Sequence, residues 1–140
     1  MDPKEVVRQA LAGLDAPGGK GFVERLTEDS EFMTPLGVMH GRDEAAAFVG
    51  GMHASFSDWK HDVEIRDMGD RVVIEGTWSG THSAPMQTPQ GEIPATGKRA
   101  TIPFAGIVQV KGDEIASVHN YFDTGAFMAQ LQPEPVQAGV

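Results

Sequence analysis

What most limits the fold of this chain is an ordering. Helical patterns crowd into the first 54 residues, and a period-two alternation, interrupted between Ser83 and Gly97, runs from Trp59 to Phe122. Side chains on a strand alternate between faces, so such a run predicts consecutive strands, each with two distinct sides. Between Trp59 and Met68, His61, Val63 and Ile65 fall on one face and Asp62, Glu64 and Arg66 on the other. Gly69-Asp70 then makes a tight hairpin turn. The strand from Arg71 to His82 sets Val72, Ile74, Gly76, Trp78, Gly80 and His82 against Val73, Glu75, Thr77, Ser79 and Thr81. Two glycines on the face of a large indole predict a strand that bends. A Pro-punctuated excursion from Ser83 to Gly97 follows, long enough to suggest a functional or mobile loop. Lys98 to Lys111 returns as another long strand, and Gly112-Asp113 turns the chain into the last one.

The earlier segment reads as helix. Asp2 can cap, Pro3 fits a first helical position and Glu5 can reach back. Val6, Val7, Ala10, Leu11 and Leu14 then follow at steps of three and four. Pro17, Gly18 and Gly19 break this helix, and a second short one buries Phe22, Val23 and Leu26. A short strand from Ser30 to Thr34 ends at Pro35 and Gly37. The turn His40 to Asp43 opens a third helix, expected to reach His53 or Ala54 although Gly50 and Gly51 each cost it about 1 kcal/mol relative to Ala. Helices first, hairpin-linked strands next and a short terminal helix last make an α+β fold. The expectation is a curved antiparallel sheet wrapped into a cone, with the N-terminal helices closing a central cavity. Residues 1–131 read as a single domain and 132–140 as a disordered tail with Pro133 and Pro135.

At 140 residues the chain can bury a real core. A formal charge of −9 argues against nucleic acid and anionic membranes as partners. Without cysteine there is no disulfide, thiol nucleophile or thiolate metal site, which fits a reducing, cytoplasmic setting. The N-terminus lacks the basic start and apolar run of a signal peptide, and no stretch approaches the length of a membrane span. Histidines are scattered without ligand spacing, so no metal site is expected.

The candidate site lies in the last strand and the helix after it, Gly112 to Leu131. Ser117, His119, Tyr121 and Asp123 share one face there, and Ala116, Val118, Asn120 and Phe122 the other. An imidazole, a phenol and a carboxylate at every second position suit the polar lining of a ligand cavity. The competing reading of Asp123 is a cap for the terminal helix. Trp78 and Trp59 are candidates for core or cavity wall.

Four pieces occur in a telling order: Gly69-Asp70-Arg71-Val72-Val73, Ser79-Gly80-Thr81-His82, Pro94-Ala95-Thr96-Gly97-Lys98, and Gly112-Asp113-Glu114-Ile115 running on to Asp123 and Gln130-Leu131. In that order and spacing the chain resembles the SnoaL-like polyketide cyclases, within the nuclear-transport-factor-like α+β barrel superfamily. The resemblance covers about Pro3 to Leu131. It implies cofactor-free acid/base chemistry on a small apolar carbonyl compound such as a polyketide, by a cyclase or isomerase. Asp123 matches the family's carboxylate base, with His119 and Tyr121 polarising the carbonyl and His82 contributing from the neighbouring strand. The family's histidine on the penultimate strand is replaced here by Gln109, a departure from the pattern. A sheet face left uncovered by so few helices predicts a homodimer built sheet to sheet, as the family also does. Two further readings stay open. One is a binding module with the same pocket and no chemistry. The other is an epoxide hydrolase-like site, which needs two carboxylates bridged by an arginine such as Arg99 or Arg66.

Overall fold

The computed structural model describes residues 1–88 and 91–132. Four helices, α1 (Pro3–Asp15), α2 (Lys20–Val23), α3 (Gly41–Ser55) and α4 (Thr124–Gln130), accompany eight strands. The strands are β1 (Leu26–Thr34), β2 (Gly37–His40), β3 (Phe56–Asp67), β4 (Val72–His82), β5 (Met86–Thr88), β6 (Gly91–Ile93), β7 (Arg99–Lys111) and β8 (Glu114–Tyr121). Six of them form one curled, open sheet in the order β2-β1-β8-β7-β4-β3, and β5 and β6 pair as a separate small hairpin. The α+β class and the curled sheet agree with the sequence reading. Three details differ. β1 starts four residues earlier than expected. It pairs with a short β2 that the turn residues concealed, and it lies parallel to β8, whereas its other neighbour is antiparallel. The expected disorder of the tail concerns residues that lie mostly outside those described.

The sequence explains the local choices. The Asp2 side chain accepts from the Lys4 N–H at 2.8 Å, and Pro3 needs no donor at the first helical position. The apolar stripe Val6, Val7, Ala10 and Leu14 is buried against the concave side of the sheet, with Phe22, Phe32, Val49, Val108 and Val118. Burying each such side chain contributes about 1.5–3 kcal/mol, and this packing holds the helices across the cone. A second apolar group, Phe56, Met86, Ala100, Ile102, Phe127 and Leu131, fills the end where α4 and the β5–β6 hairpin meet the sheet.

A bulge in β3 shapes the interior. Between Ser57 and Lys60 the register slips by one residue against β4, and Asp58 adopts φ 55°, which aspartate tolerates better than most residues. The extra residue lets both Phe56 and Trp59 turn toward the concave side. Gly80 is needed for a related reason: a Cβ there would lie 2.7 Å from the Trp78 ring. Among the described residues, no helix is long and apolar enough to cross a membrane.

Candidate active site

A cavity of about 100 Å3 lies between the concave side of the sheet, α1 and α3. Aromatic rings make most of its wall: Phe32, Phe48, Trp59, Trp78, Phe104 and Phe127. Trp59 is fixed by two contacts. Its Nε1–H donates to the Phe56 carbonyl at 2.9 Å, and the His53 ring stacks on it at 3.9 Å and 7°. His53 in turn donates from Nε2 to the Leu14 carbonyl at 2.7 Å, tying α3 to the end of α1. The remaining polar wall groups are few: Thr34, His61, Asn120 and the Trp78 indole nitrogen.

His61 is the one titratable side chain in that wall. β3 carries it inward beside Val63 and Ile65, and its ring meets the edge of Phe104 at 5.6 Å. Its Nδ1 lies 2.5 Å from Asp15 Oδ1, and its backbone N–H donates to Asp15 Oδ2 at 3.1 Å. A carboxylate only accepts, so Nδ1 carries a proton, and in the neutral ring the lone pair is then on Nε2. Nε2 has no hydrogen-bond partner among the described residues. Only 9% of the His61 side chain is exposed, against 26% for Asp15, which touches solvent in a groove between α1 and β3. Asp15 ends α1, where the helix dipole disfavours a negative charge and no basic residue shares the last turn. The two His61 donors offset that penalty. An imidazole oriented by a carboxylate in an apolar enclosure can act as a general base.

Asn120 stands on the same wall. Its Oδ1 is buried without a partner and is packed against Gly106 and Ile74, so tightly that a Cβ on Gly106 would come within 2.6 Å of it. Its Nδ2 also lacks a partner among the described residues. The Trp78 Nε1–H is a buried donor left unpaired. Unpaired buried donors in a cavity wall are a place for a ligand acceptor.

The residues singled out from the sequence fall in different places. Trp59 and Trp78 line the cavity, as expected. The face of β8 that was expected to do so, with Ser117, His119 and Tyr121, is the convex outer one, and Asn120 and Phe122 line the cavity instead. His119 Nε2 pairs with Glu31 Oε2 at 2.7 Å on that outer face, and Tyr121 is half exposed. Gln109 accepts from the Ser117 hydroxyl at 3.2 Å beside them. Asp123 is exposed and caps α4, accepting from the Ala126 N–H at 3.1 Å, so its carboxylate is held by a helix end rather than in the cavity. Interior walls favour apolar side chains, which is why the apolar set of β8 turned inward.

His82 is fully buried but outside the cavity wall, stacked on Phe56 at 5.1 Å. Its Nδ1 accepts from the Thr96 N–H at 3.4 Å and lies 3.1 Å from the Thr96 hydroxyl, tethering the end of the Ser83–Gly97 excursion. Burial pushes its pKa below the ordinary histidine value, opposed in part by the Ala84 backbone. Arg99 donates to the Asp58 carbonyl and Arg66 pairs with Glu64, and no carboxylate or arginine lines the cavity. The residues of an epoxide hydrolase-like site are therefore not assembled there. Among the described residues no group of three or more His, Asp or Glu could hold a metal ion.

His61 and Asn120 were the residues missed. The signal for both was present: each is a polar side chain on an otherwise apolar strand face.

The model of the SnoaL-like domain matches residues 7–118. The chain belongs to the SnoaL-like domain family. Solved structures similar to this SnoaL-like chain include a proposed polyketide cyclase from Pseudomonas putida KT2440, with TM-score 0.81 and 22% identity over 94% of this chain and 99% of that one. Another is a protein of ketosteroid isomerase-like fold from Catenulispora acidiphila in complex with trimethylamine, with TM-score 0.71 and 19% identity over 90% and 91% of the two chains. A third is an NTF2-like protein of unknown function from Burkholderia pseudomallei K96243, with TM-score 0.74 and 21% identity over 95% and 100%. At such identities the likeness establishes the NTF2-like fold and no reaction. The search of curated proteins gave no match.

Proposed function

We propose that this SnoaL-like protein is a cofactor-free acid/base enzyme, a cyclase or isomerase acting on a small apolar carbonyl compound, with His61 as its base. The observation that carries the reading is the Asp15–His61 pair, 2.5 Å apart, with Nε2 unpartnered among the described residues and the ring in the wall of an aromatic cavity. Nε2 takes a proton from a carbon next to the substrate carbonyl. The C–H electron pair moves into the new C=C bond, and the C=O electrons move onto oxygen, forming an enolate. Asn120 Nδ2–H donates to that oxygen. Asp15 steadies the imidazolium, which returns the proton to carbon or oxygen in an isomerisation. In a cyclisation the enolate carbon instead attacks a second carbonyl of the same molecule, whose oxygen takes the proton. The Pseudomonas neighbour, described as a proposed polyketide cyclase, supports the cyclisation.

The test needs no natural substrate. Incubated with cyclohexanone in deuterated buffer, the protein is expected to speed deuterium uptake at the carbons beside the carbonyl. His61→Gln removes a positioned base and should lower that rate on the order of 10²–10⁴-fold. Uptake no faster than in buffer, or unchanged in His61→Gln, overturns the assignment; the first result favours a binding module with no chemistry.

The convex sheet face, with Ile107, Tyr121 and Val38 exposed, is the surface we assign to a homodimer. Light scattering should give twice the monomer mass, and Ile107→Asp should return it to the monomer.

A further inference from the structure

We infer that the cavity selects an uncharged carbonyl compound built on a single ring, and discriminates against carboxylates and fused polycyclic ketones. The inference rests on the acid/base reading above and narrows its substrate.

Size is the first ground. The cavity holds about 100 Å3, and a second one of about 30 Å3 shares Leu14, Phe32, His61, Phe104 and Asn120 with it. An apolar cavity of roughly 150 Å3 suffices for a benzene-sized guest, whereas drug-sized ligands occupy roughly 300–1,000 Å3. Apart from Leu36 in the β1–β2 turn and Phe122, the walls that would have to yield for a larger guest are not loops. Phe32 and Val49 are buried in β1 and α3, Ile102 lies mid-strand in β7, and Phe127 is locked by Phe56 and Phe122 at ring distances of 5.8 and 6.1 Å.

Charge is the second ground. Neither lysine nor arginine lines the cavity, and its only ionisable wall group, His61, is already committed to Asp15. A carboxylate moved into this wall would lose its water for no cation, and the Asp15 charge lies directly behind the imidazole.

Hydrogen bonding is the third. The Trp78 Nε1–H and the Asn120 amide are uncharged groups without partners, each able to meet a neutral acceptor, and the rest of the wall asks for hydrocarbon. A neutral ring ketone meets all three conditions.

Trp59 and Trp78 are the only two tryptophans and both line the cavity, so the two indole N–H signals in a proton–nitrogen correlation spectrum report occupancy directly. Three probes are titrated into the full chain: cyclohexanone, cyclohexanecarboxylate and fluorenone. Cyclohexanone is expected to move both signals saturably, with the Trp78 signal assigned through Trp78→Phe. The other two should bind at least tenfold more weakly. Either of them binding as tightly as cyclohexanone, or cyclohexanone leaving both signals in place, overturns the inference. The readout is separate from deuterium uptake. Correct sorting of the probes without uptake removes the proposed reaction and leaves the selectivity. Uptake without sorting does the reverse.

Discussion

The molecule holds two imidazole–carboxylate pairs of nearly equal geometry. Asp15 and His61 approach to 2.5 Å, Glu31 and His119 to 2.7 Å. The first is enclosed by Phe104 and its neighbours, with Asp15 fixed at the end of α1. The second lies on the outer sheet face, with about a third of the histidine side chain and nearly half of the glutamate exposed. Water screens the outer pair, which is worth at most about 1 kcal/mol. The difference teaches that such a pair becomes a candidate for chemistry through what surrounds it. The residue types are the same on both faces; only one pair has a cavity in front of its free nitrogen.

The largest expected effect separates the two pairs. Asp15→Asn should slow cyclohexanone deuterium uptake on the order of 10²-fold, because the imidazole loses its tautomer and its counter-charge. Glu31→Gln should stay within about twofold of the starting protein, as surface changes usually do. Equal losses in both variants would erase the distinction. Next comes Gly106→Ala, whose new Cβ would press on Asn120 and Ile74. Overpacking of this kind costs about 1–3 kcal/mol in denaturant unfolding, and uptake should fall too because Asn120 is displaced. A third carboxylate, Asp123, belongs with neither pair: Asp123→Ala should cost about 1 kcal/mol as a lost cap and leave uptake unchanged. An uptake loss there comparable with that of Asp15→Asn would restore the carboxylate the family resemblance singled out.

The smallest effect concerns His82, a histidine with no carboxylate. Its folded pKa lies below the ordinary value of 6.5, so below that pH the unfolded chain binds more protons. Its contribution to stability is therefore full above pH 6.5 and is lost as pH falls through the lowered folded value. Melting temperature measured from pH 7.5 to pH 4.5 should decline less steeply in His82→Phe than in the starting protein. Parallel profiles would remove His82 as the cause.

Most of the architecture could be read in the residues. The alternation from Trp59 to Phe122 gave the strands, and Asp2-Pro3 gave the start of α1. In β8 the two sets of side chains were separated correctly, yet the polar set was expected inside. Spacing assigns residues to faces but does not say which face is covered; α1 and α3, packed on the Val118 and Asn120 side, decide that. His61 was visible beside Val63 and Ile65, but its partner Asp15 is 46 residues away, and no local pattern joins them. β2 went unseen because four residues after a proline turn carry too little alternation to register. The Asp58 bulge was equally invisible, since it is defined by pairing with β4.

The parallel seam between β1 and β8 has a consequence for synthesis. Leu26 faces Ile115, and Met33 faces His119, across roughly ninety residues of intervening chain. A polypeptide leaving the ribosome would present Phe32 and its companions long before their neighbours exist, because the inner edge of β1 has to await the last strand made. Closure of the aromatic chamber is thus a late, long-range event, and slow assembly with a need for chaperone shelter follows from that one seam.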